Sequence, residues 1–220
     1  PYILTNAQVY SFNQKSISAD TVVIKNGLIT AIGKSEALID QFGRDATLID
    51  LRQSVLTPSF TDAHIHLLLY GQSLLRVNTG TTTRQECLKR VSVRARKTQP
   101  GKWIIGHGWN HNNWAEGYGS KENLDAISNE NPIYLTHKSL HSGWANSAAM
   151  KKAGIDRDTP DPKRGTVLRD SHGEPTGILL ESAMHLVESV IPEPDSAEVE
   201  AAVLSAQTTL NQFGITAAHD

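Results

Sequence analysis

The segment that most constrains this sequence is 57–67, Thr-Pro-Ser-Phe-Thr-Asp-Ala-His-Ile-His-Leu. If the segment is a strand, its side chains alternate between two faces, so Asp62, His64 and His66 all point the same way. Two imidazoles then converge on one point, as a divalent ion with nitrogen ligands at ~2.0–2.2 Å requires. A bare His-x-His pair is equally compatible with chance. The apolar residues that precede the pair, however, favour a buried parallel strand that ends at the mouth of a barrel.

Composition limits the classes of protein to consider. The 220 residues can hold one large domain, or a domain with a small appendage. The 21 basic and 23 acidic residues nearly balance, so no strong field attracts nucleic acid or an anionic membrane. The single cysteine, Cys87, suits a reducing compartment. With no apolar run near ~20 residues and no signal-peptide pattern at the start, we expect a cytoplasmic protein that binds neither nucleic acid nor membrane.

The first part of the chain predicts a small β domain. Asn26-Gly27 lies between two β-rich runs within 21–33, which is the strongest short signal for a hairpin with a type I′ turn. Further strands are predicted over 2–10 and 47–51, and a short helix over 35–42. We place the boundary of this domain at residues 1–56.

Residues 57–220 alternate helices with short apolar strands, a pattern typical of βα units around a parallel sheet. An inserted hairpin is predicted over residues 156–180, because the first part of this segment is rich in Asp, Pro and Gly. Asp195 and Glu198 have the spacing of a capping box. The remaining predicted strands are 103–106, 133–136 and 215–219, and the remaining predicted helices are 84–98, 123–128, 146–153 and the segment after Asp195.

The segment 57–67 resembles the first-strand signature of the amidohydrolase superfamily, Pro-Gly-Phe-Ile-Asp-x-His-x-His. Ser59 and Thr61 depart from that pattern, but neither stands at a ligand position. In that superfamily both histidines bind the catalytic metal, so the resemblance implies that His64 and His66 are metal ligands. It also implies an α/β fold with a (β/α)₈ TIM-type barrel, preceded by part of a small β-sandwich.

Four further segments resemble the YtcJ-like, or amidohydrolase-3, branch. Residues 106–110 resemble its Gly-x-Gly-Trp-Asp, with Asn110 in place of the acid. Residues 141–150 resemble its His-x-x-Trp-x-Asn-Ser-x-Ala-Leu. Residues 165–183 resemble its Gly-x-x-x-Arg-Asp hairpin with the following Gly-x-Leu-x-Glu-x-Ala, and residues 214–220 its Gly-x-Thr-x-x-x-Asp strand.

The resemblance implies a metal-dependent hydrolase that cleaves carbon–nitrogen bonds, such as non-peptide amide, N-acyl or N-formyl bonds, in small molecules. Zinc is the expected metal from the ligand type. A barrel needs ~250 residues and about four barrel strands are visible here, so we expect the first half of the barrel. The general base and the remaining ligands are then expected beyond Asp220, and the 220-residue chain alone is expected to be inactive.

Five other residues are candidates for the second shell or the substrate pocket. Each also has a purely structural explanation: Asp62 can cap or hydrogen-bond at the barrel mouth, Trp109 can be core packing, and a glutamate at Glu181 can serve a helix dipole. The set is Asp62, Trp109, His141, Glu181 and His219. The remaining histidines lack a partner at ligand spacing and are assigned to the surface or the pocket edge: His107, His111, His137, His172 and His185.

The alternative is a catalytically inactive, amidohydrolase-like regulatory or binding protein. Half a barrel leaves an open sheet edge that something must cover, so a homodimer is also considered. The basic residues of helix 84–98 are interpreted as a solvated face, because no aromatic residues are interleaved to stack on bases. A small-molecule substrate is the expected partner.

Overall fold

The computed structural model describes residues 1–12 and 18–220. They form two compact units, one of residues 1–62 with 214–218 and one of residues 63–213 with 219–220. The strands, β1 to β14 in order, are Tyr2–Thr5, Gln8–Val9, Thr21–Lys25, Leu28–Gly33, Thr47–Asp50, Val55–Leu56, Phe60–Asp62, Val77–Asn78, Ile104–Trp109, Ile133–His137, Ser142–Ala145, Gly165–Arg169, Pro175–Glu181 and Ile215–Ala218. The helices, α1 to α7, are Ser35–Phe42, Leu67–Leu75, Arg84–Ala95, Lys121–Asp125, Ser147–Lys152, Met184–Glu188 and Ser196–Gln212. Within the described ranges, no helix combines the length and apolarity needed to cross a membrane.

The first unit is built on a four-stranded sheet in the order β4-β3-β1-β5. Its strands pair antiparallel except for β1 with β5. Helix α1 contributes Leu38 to a small core with Ile3 and Val23. The predicted β3–β4 hairpin is confirmed, and Asn26 and Gly27 have φ of 53° and 76°, as a type I′ turn requires.

The strand that leads to the histidine pair is shorter than the sequence predicted. Strand β7 pairs in parallel with β14, and the ladder ends where Asp62 faces Ala218. Beyond that point the chain bends, and α2 begins at Leu67. His64 and His66 therefore do not lie on the strand, and the strict alternation expected of them was wrong, because the β7–β14 ladder ends at Asp62 and the chain bends there.

The second unit contains a mixed six-stranded sheet in the order β12-β13-β11-β10-β9-β8. Strands β8, β9 and β10 are parallel, as predicted for βα units. Strand β11 was not predicted and runs antiparallel to both β10 and β13. Strand β13 therefore runs in the same direction as β8, β9 and β10, and the carboxyl ends of these four strands lie at one edge of the sheet.

Apolar residues fill both faces of this sheet. One cluster is centred on Trp109, Leu135 and Trp144, each with no exposed surface. The other is centred on Tyr134, Leu179 and helix α6. These two cores fix the strands whose carboxyl ends carry the candidate site residues below.

Helices α2 and α7 pack so closely that a glycine is required at their crossing. A Cβ on Gly71 would lie 2.1 Å from the Ala202 carbonyl oxygen, so the backbones are in direct contact. We expect Gly71→Ala to lower the free energy of unfolding by about 1–3 kcal/mol, because overpacking against a backbone outweighs the ~1 kcal/mol by which alanine favours a helix. Urea unfolding beside Gln72→Ala, on the same helix, measures this. A stabilised Gly71→Ala protein would contradict the packing.

Candidate functional site

His64 and His66 are brought together although they lie outside a strand. Their ring centroids are 5.0 Å apart with an interplanar angle of 78°. Two imidazoles that share one tetrahedral ion, at ~2.0–2.1 Å from each nitrogen, have centroids about 5 Å apart. The spacing of the two ring centroids is therefore compatible with a shared divalent ion.

Asp220 and His219 lie against the histidine pair. The Ile65 N–H donates to the His219 carbonyl at 3.0 Å, and the Leu67 N–H donates to Asp220 Oδ2 at 3.1 Å. Asp220 Oδ1 is 3.6 Å from His66 Nδ1. The carboxylate thus lies beside the imidazole, within ion-pair range but beyond the length of a hydrogen bond. Asp220 was missed as a site residue, although it ends a segment that the sequence had matched to the family.

The donor set in this chain is small. Throughout residues 1–12 and 18–220, no three or more His, Cys, Asp or Glu side chains are grouped as a metal site requires. Asp62 belongs to the first unit, at the end of β7, and its role beside the metal stays a prediction. The metal role of His64 and His66 also stays a prediction.

A second group of candidate residues lies at the carboxyl edge of the six-stranded sheet. Trp109 ends β9, His137 ends β10 and Glu181 ends β13. Ligands of sheets with parallel strands bind outside these carboxyl ends. Two of the five secondary candidates, Trp109 and Glu181, are thus placed at one edge by the topology, and His141 directly precedes β11 at the same edge.

His141 and Glu181, 40 positions apart in sequence, form a pair. His141 Nδ1 is 3.0 Å from Glu181 Oε2, and the Glu181 N–H donates to the His141 carbonyl, also at 3.0 Å. Glu181 has φ of 50°, in the left-handed region that a side chain rarely adopts. Such strained residues cluster at functional sites. Glu181 also lines a cleft of about 350 Å³ with Leu140, Arg164, Ser182, Met184, His185 and Glu188.

Trp109 is packed on all sides by rings. It stacks on Trp114 with centroids 6.0 Å apart and meets Trp144 edge to face at 5.9 Å. Its Nε1 donates to the Leu135 carbonyl at 2.8 Å. Its polar atom is therefore already satisfied, and the indole offers only its faces and edge to the surroundings.

His137 was assigned to the surface or the pocket edge, and the structure excludes an exposed position. Its residue is 7% exposed, and its ring meets Trp109 edge to face at 4.6 Å. Burial, followed by the charges of His111 and His141, lowers the pKa of His137. The sequence left both alternatives open because burial at a strand end depends on neighbours from other elements.

The comparisons with known proteins agree with these features. The model of the Amidohydrolase family, amidohydrolase-3 type, matches residues 47–220. The YtcJ protein of Bacillus subtilis (strain 168), named as an amidohydrolase, is 31% identical over 96% of this chain and 40% of its own length. The N-substituted formamide deformylase of Arthrobacter pascens is 31% identical over 85% of this chain and 35% of its own.

A solved structure is also similar. It is an uncharacterized metal-dependent hydrolase from Pyrococcus furiosus, with a TM-score of 0.69 and 26% identity, covering 99% of this chain and 43% of that one. The chain thus spans less than half the length of these relatives. The family match covers most of the sequence, including the histidine pair, and the α/β fold agrees with the solved relative. The chain belongs to the amidohydrolase family, in its YtcJ-like branch.

Proposed function

We propose that this chain is part of a metal-dependent hydrolase that cleaves carbon–nitrogen bonds in small N-acyl or N-formyl compounds. The observation that carries the proposal is the pair His64 and His66, whose rings meet at a spacing that fits one shared ion. The solved relative described as a metal-dependent hydrolase supports the metal, and we propose zinc because imidazole ligands suit it.

The residues of this chain have separate tasks in the proposal. His64 and His66 hold the ion, and when bound the ion supplies the Lewis acidity that activates water and polarises a carbonyl near neutral pH. Asp220 places a negative charge beside Nδ1 of His66, and its carboxylate accepts a hydrogen bond from the Leu67 N–H at the start of α2. A negative charge at that helix start is also favoured by the helix dipole.

The substrate class rests on different support. The relative named as an N-substituted formamide deformylase makes the formyl group of an N-substituted amide our first choice of substrate. We further propose that His141 and Glu181 line the substrate pocket, and that the parallel strands belong to the first half of a (β/α)₈ barrel preceded by part of a β-sandwich.

The test is whether the full-length protein that contains this chain hydrolyses such compounds when it is loaded with zinc, manganese or iron. We expect release of formate and amine from members of a panel of N-formyl amines. Activity should fall to background with a chelator and return when the metal is restored, because His64 and His66 hold an exchangeable ion. A metal-loaded protein that hydrolyses no N-formyl or N-acyl amine would contradict the proposed reaction and favour a non-catalytic binding role.

A further inference from the structure

Strand β10 has a register shift at its end, and the shift changes which residue lies opposite His137. The β9–β10 register shifts between Thr136 and His137, so that His137 lies opposite Trp109. Gly108, just before Trp109, has φ of 95°, and the Lys138 N–H donates to the Trp109 carbonyl at 2.9 Å. Bulges of this kind are common next to active sites, where they redirect a side chain.

Hydrogen bonding fixes the protonation of the His137 ring. The Ser139 N–H donates to His137 Nδ1 at 3.0 Å, so Nδ1 is an acceptor and carries no proton. The neutral ring then carries its proton on Nε2, which makes Nε2–H a donor. Within the described residues, this Nε2 is buried and has no hydrogen-bond partner. A buried donor without a partner costs ~1–3 kcal/mol.

Aromatic rings lie next to the His137 ring. His111 lies 5.4 Å from His137, ring centroid to ring centroid, and stacks on Tyr118 at 3.9 Å and 18°. Tyr118 is 38% exposed, whereas Trp109, which meets Tyr118 edge to face at 6.1 Å, is fully buried. The group of rings therefore reaches the surface at Tyr118. His111 Nδ1 is also a buried atom for which the described residues provide no partner.

We propose that His137 is the specificity-determining hydrogen-bond donor of a subsite for a planar, conjugated carbonyl group of the substrate. In the bound state His137 Nε2–H donates to the carbonyl oxygen, and the rings of His111 and Tyr118 pack against the planar group. Calling this ligand a substrate rests on the proposed function. The binding site itself requires neither metal nor turnover.

Two physical arguments select this ligand. An oxygen acceptor removes the cost of the unpaired buried donor, because it replaces the water that the ring cannot reach in the folded protein. Aromatic rings favour offset stacking and edge contacts with another planar system over contact with a saturated ring. A neutral carbonyl suits a neutral imidazole whose pKa is lowered by burial and by its histidine neighbours.

The experiment measures binding of benzamide, with cyclohexanecarboxamide as the saturated probe, to the metal-free full-length chain by ligand-detected NMR titration. The variants are His137→Phe, which keeps a ring but removes the donor, and His137→Gln, which returns an N–H donor. His172→Phe, at an exposed hairpin position, is the control. Long-range ¹H–¹⁵N spectra of the histidine rings report the tautomer and whether Nε2 of His137 senses the probe.

We expect benzamide to bind about tenfold more weakly to His137→Phe than to the unmodified protein and His172→Phe, with His137→Gln recovering part of the loss. Benzamide should also bind more tightly than cyclohexanecarboxamide and shift the His137 Nε2 signal. Equal affinity in His137→Phe, or a His137 signal that does not move at saturating benzamide, would overturn the inference. If His137→Phe unfolds, the Nε2 shift in the unmodified protein and the His137→Gln affinity decide. Loss of metal binding or hydrolysis would contradict the proposed function without affecting this result.

Discussion

Replacing Asn146 with alanine is expected to lower the free energy of unfolding by about 3–5 kcal/mol, because four buried backbone groups then lose their partner. Asn146 is completely buried. Its Nδ2 donates to the carbonyls of Ser128 and Asn131, each at 2.9 Å. Its Oδ1 accepts from the N–H groups of Ile133 and Ala149, also at 2.9 Å each.

The position of Asn146 explains why the loss is large. Its side chain caps α5 and also ties the start of β10 to the loop after α4, so one amide joins three parts of the second unit. An N-cap alone is worth ~0.5–2 kcal/mol, and the remaining bonds add to it.

Urea unfolding followed by circular dichroism measures the effect. Asn112→Ala, an exposed asparagine whose own N–H bonds to Asn110, is the matched control and should change stability by less than ~0.5 kcal/mol. A loss below ~1 kcal/mol for Asn146→Ala would show that the four bonds are replaced by water and that the site is not closed.

Local signals in the sequence predicted the elements whose geometry is decided within a few residues. The type I′ hairpin followed from Asn26-Gly27, because both residues tolerate positive φ. The capping box of α7 followed from Asp195 and Glu198. The Glu198 N–H donates to Asp195 Oδ1 at 2.9 Å, and the Asp195 N–H donates to Glu198 Oε2 at 3.1 Å. Gly154, with φ of 67°, follows α5 at a left-handed position that favours glycine.

Features that depend on distant partners were not predictable in the same way. Strand β11 consists of Ser-Gly-Trp-Ala, which carries no strand pattern, and it is extended because β10 and β13 pair with it on both sides. Phe213 is 71% exposed although it is apolar, because the helix ends at Gln212 and Phe213 caps it.

The same distinction between local signals and distant contacts applies to the candidate site. The motif around His64 and His66 is local, so the pair was predicted, and its two rings do meet. The sequence did not predict that Asp220 would lie beside His66, or that His141 would pair with Glu181, since residues 40 or more positions apart give no contact signal without the sheet topology. The burial of His137 beside the rings of Trp109 and His111 was not predicted, because nothing in its own segment indicates these neighbours.

Replacing both His64 and His66 with alanine is expected to abolish metal binding and to reduce hydrolysis to background. Each imidazole is a direct ligand in the proposal, so the double replacement removes both ligands that the proposal assigns to the ion. Their ring centroids are 5.0 Å apart. The fold should persist, because both rings are largely exposed and the cores of the second unit lie elsewhere.

The matched control is His172→Ala with His185→Ala, which removes two exposed histidines from the same unit. Asp220→Asn is a graded variant, because it keeps an acceptor for the Leu67 N–H while weakening the charge beside His66. We expect it to lower metal affinity by about 10–100-fold, as changes to a residue that orients a ligand do.

The most direct measurement is the metal content of the full-length chain by inductively coupled plasma mass spectrometry, after reconstitution with zinc, manganese or iron and removal of free ion. We expect near-stoichiometric metal in the unmodified protein and in the His172→Ala/His185→Ala control, and none in the His64→Ala/His66→Ala protein. Metal that stays at the same level in the His64→Ala/His66→Ala protein would contradict the assignment of this pair as ligands.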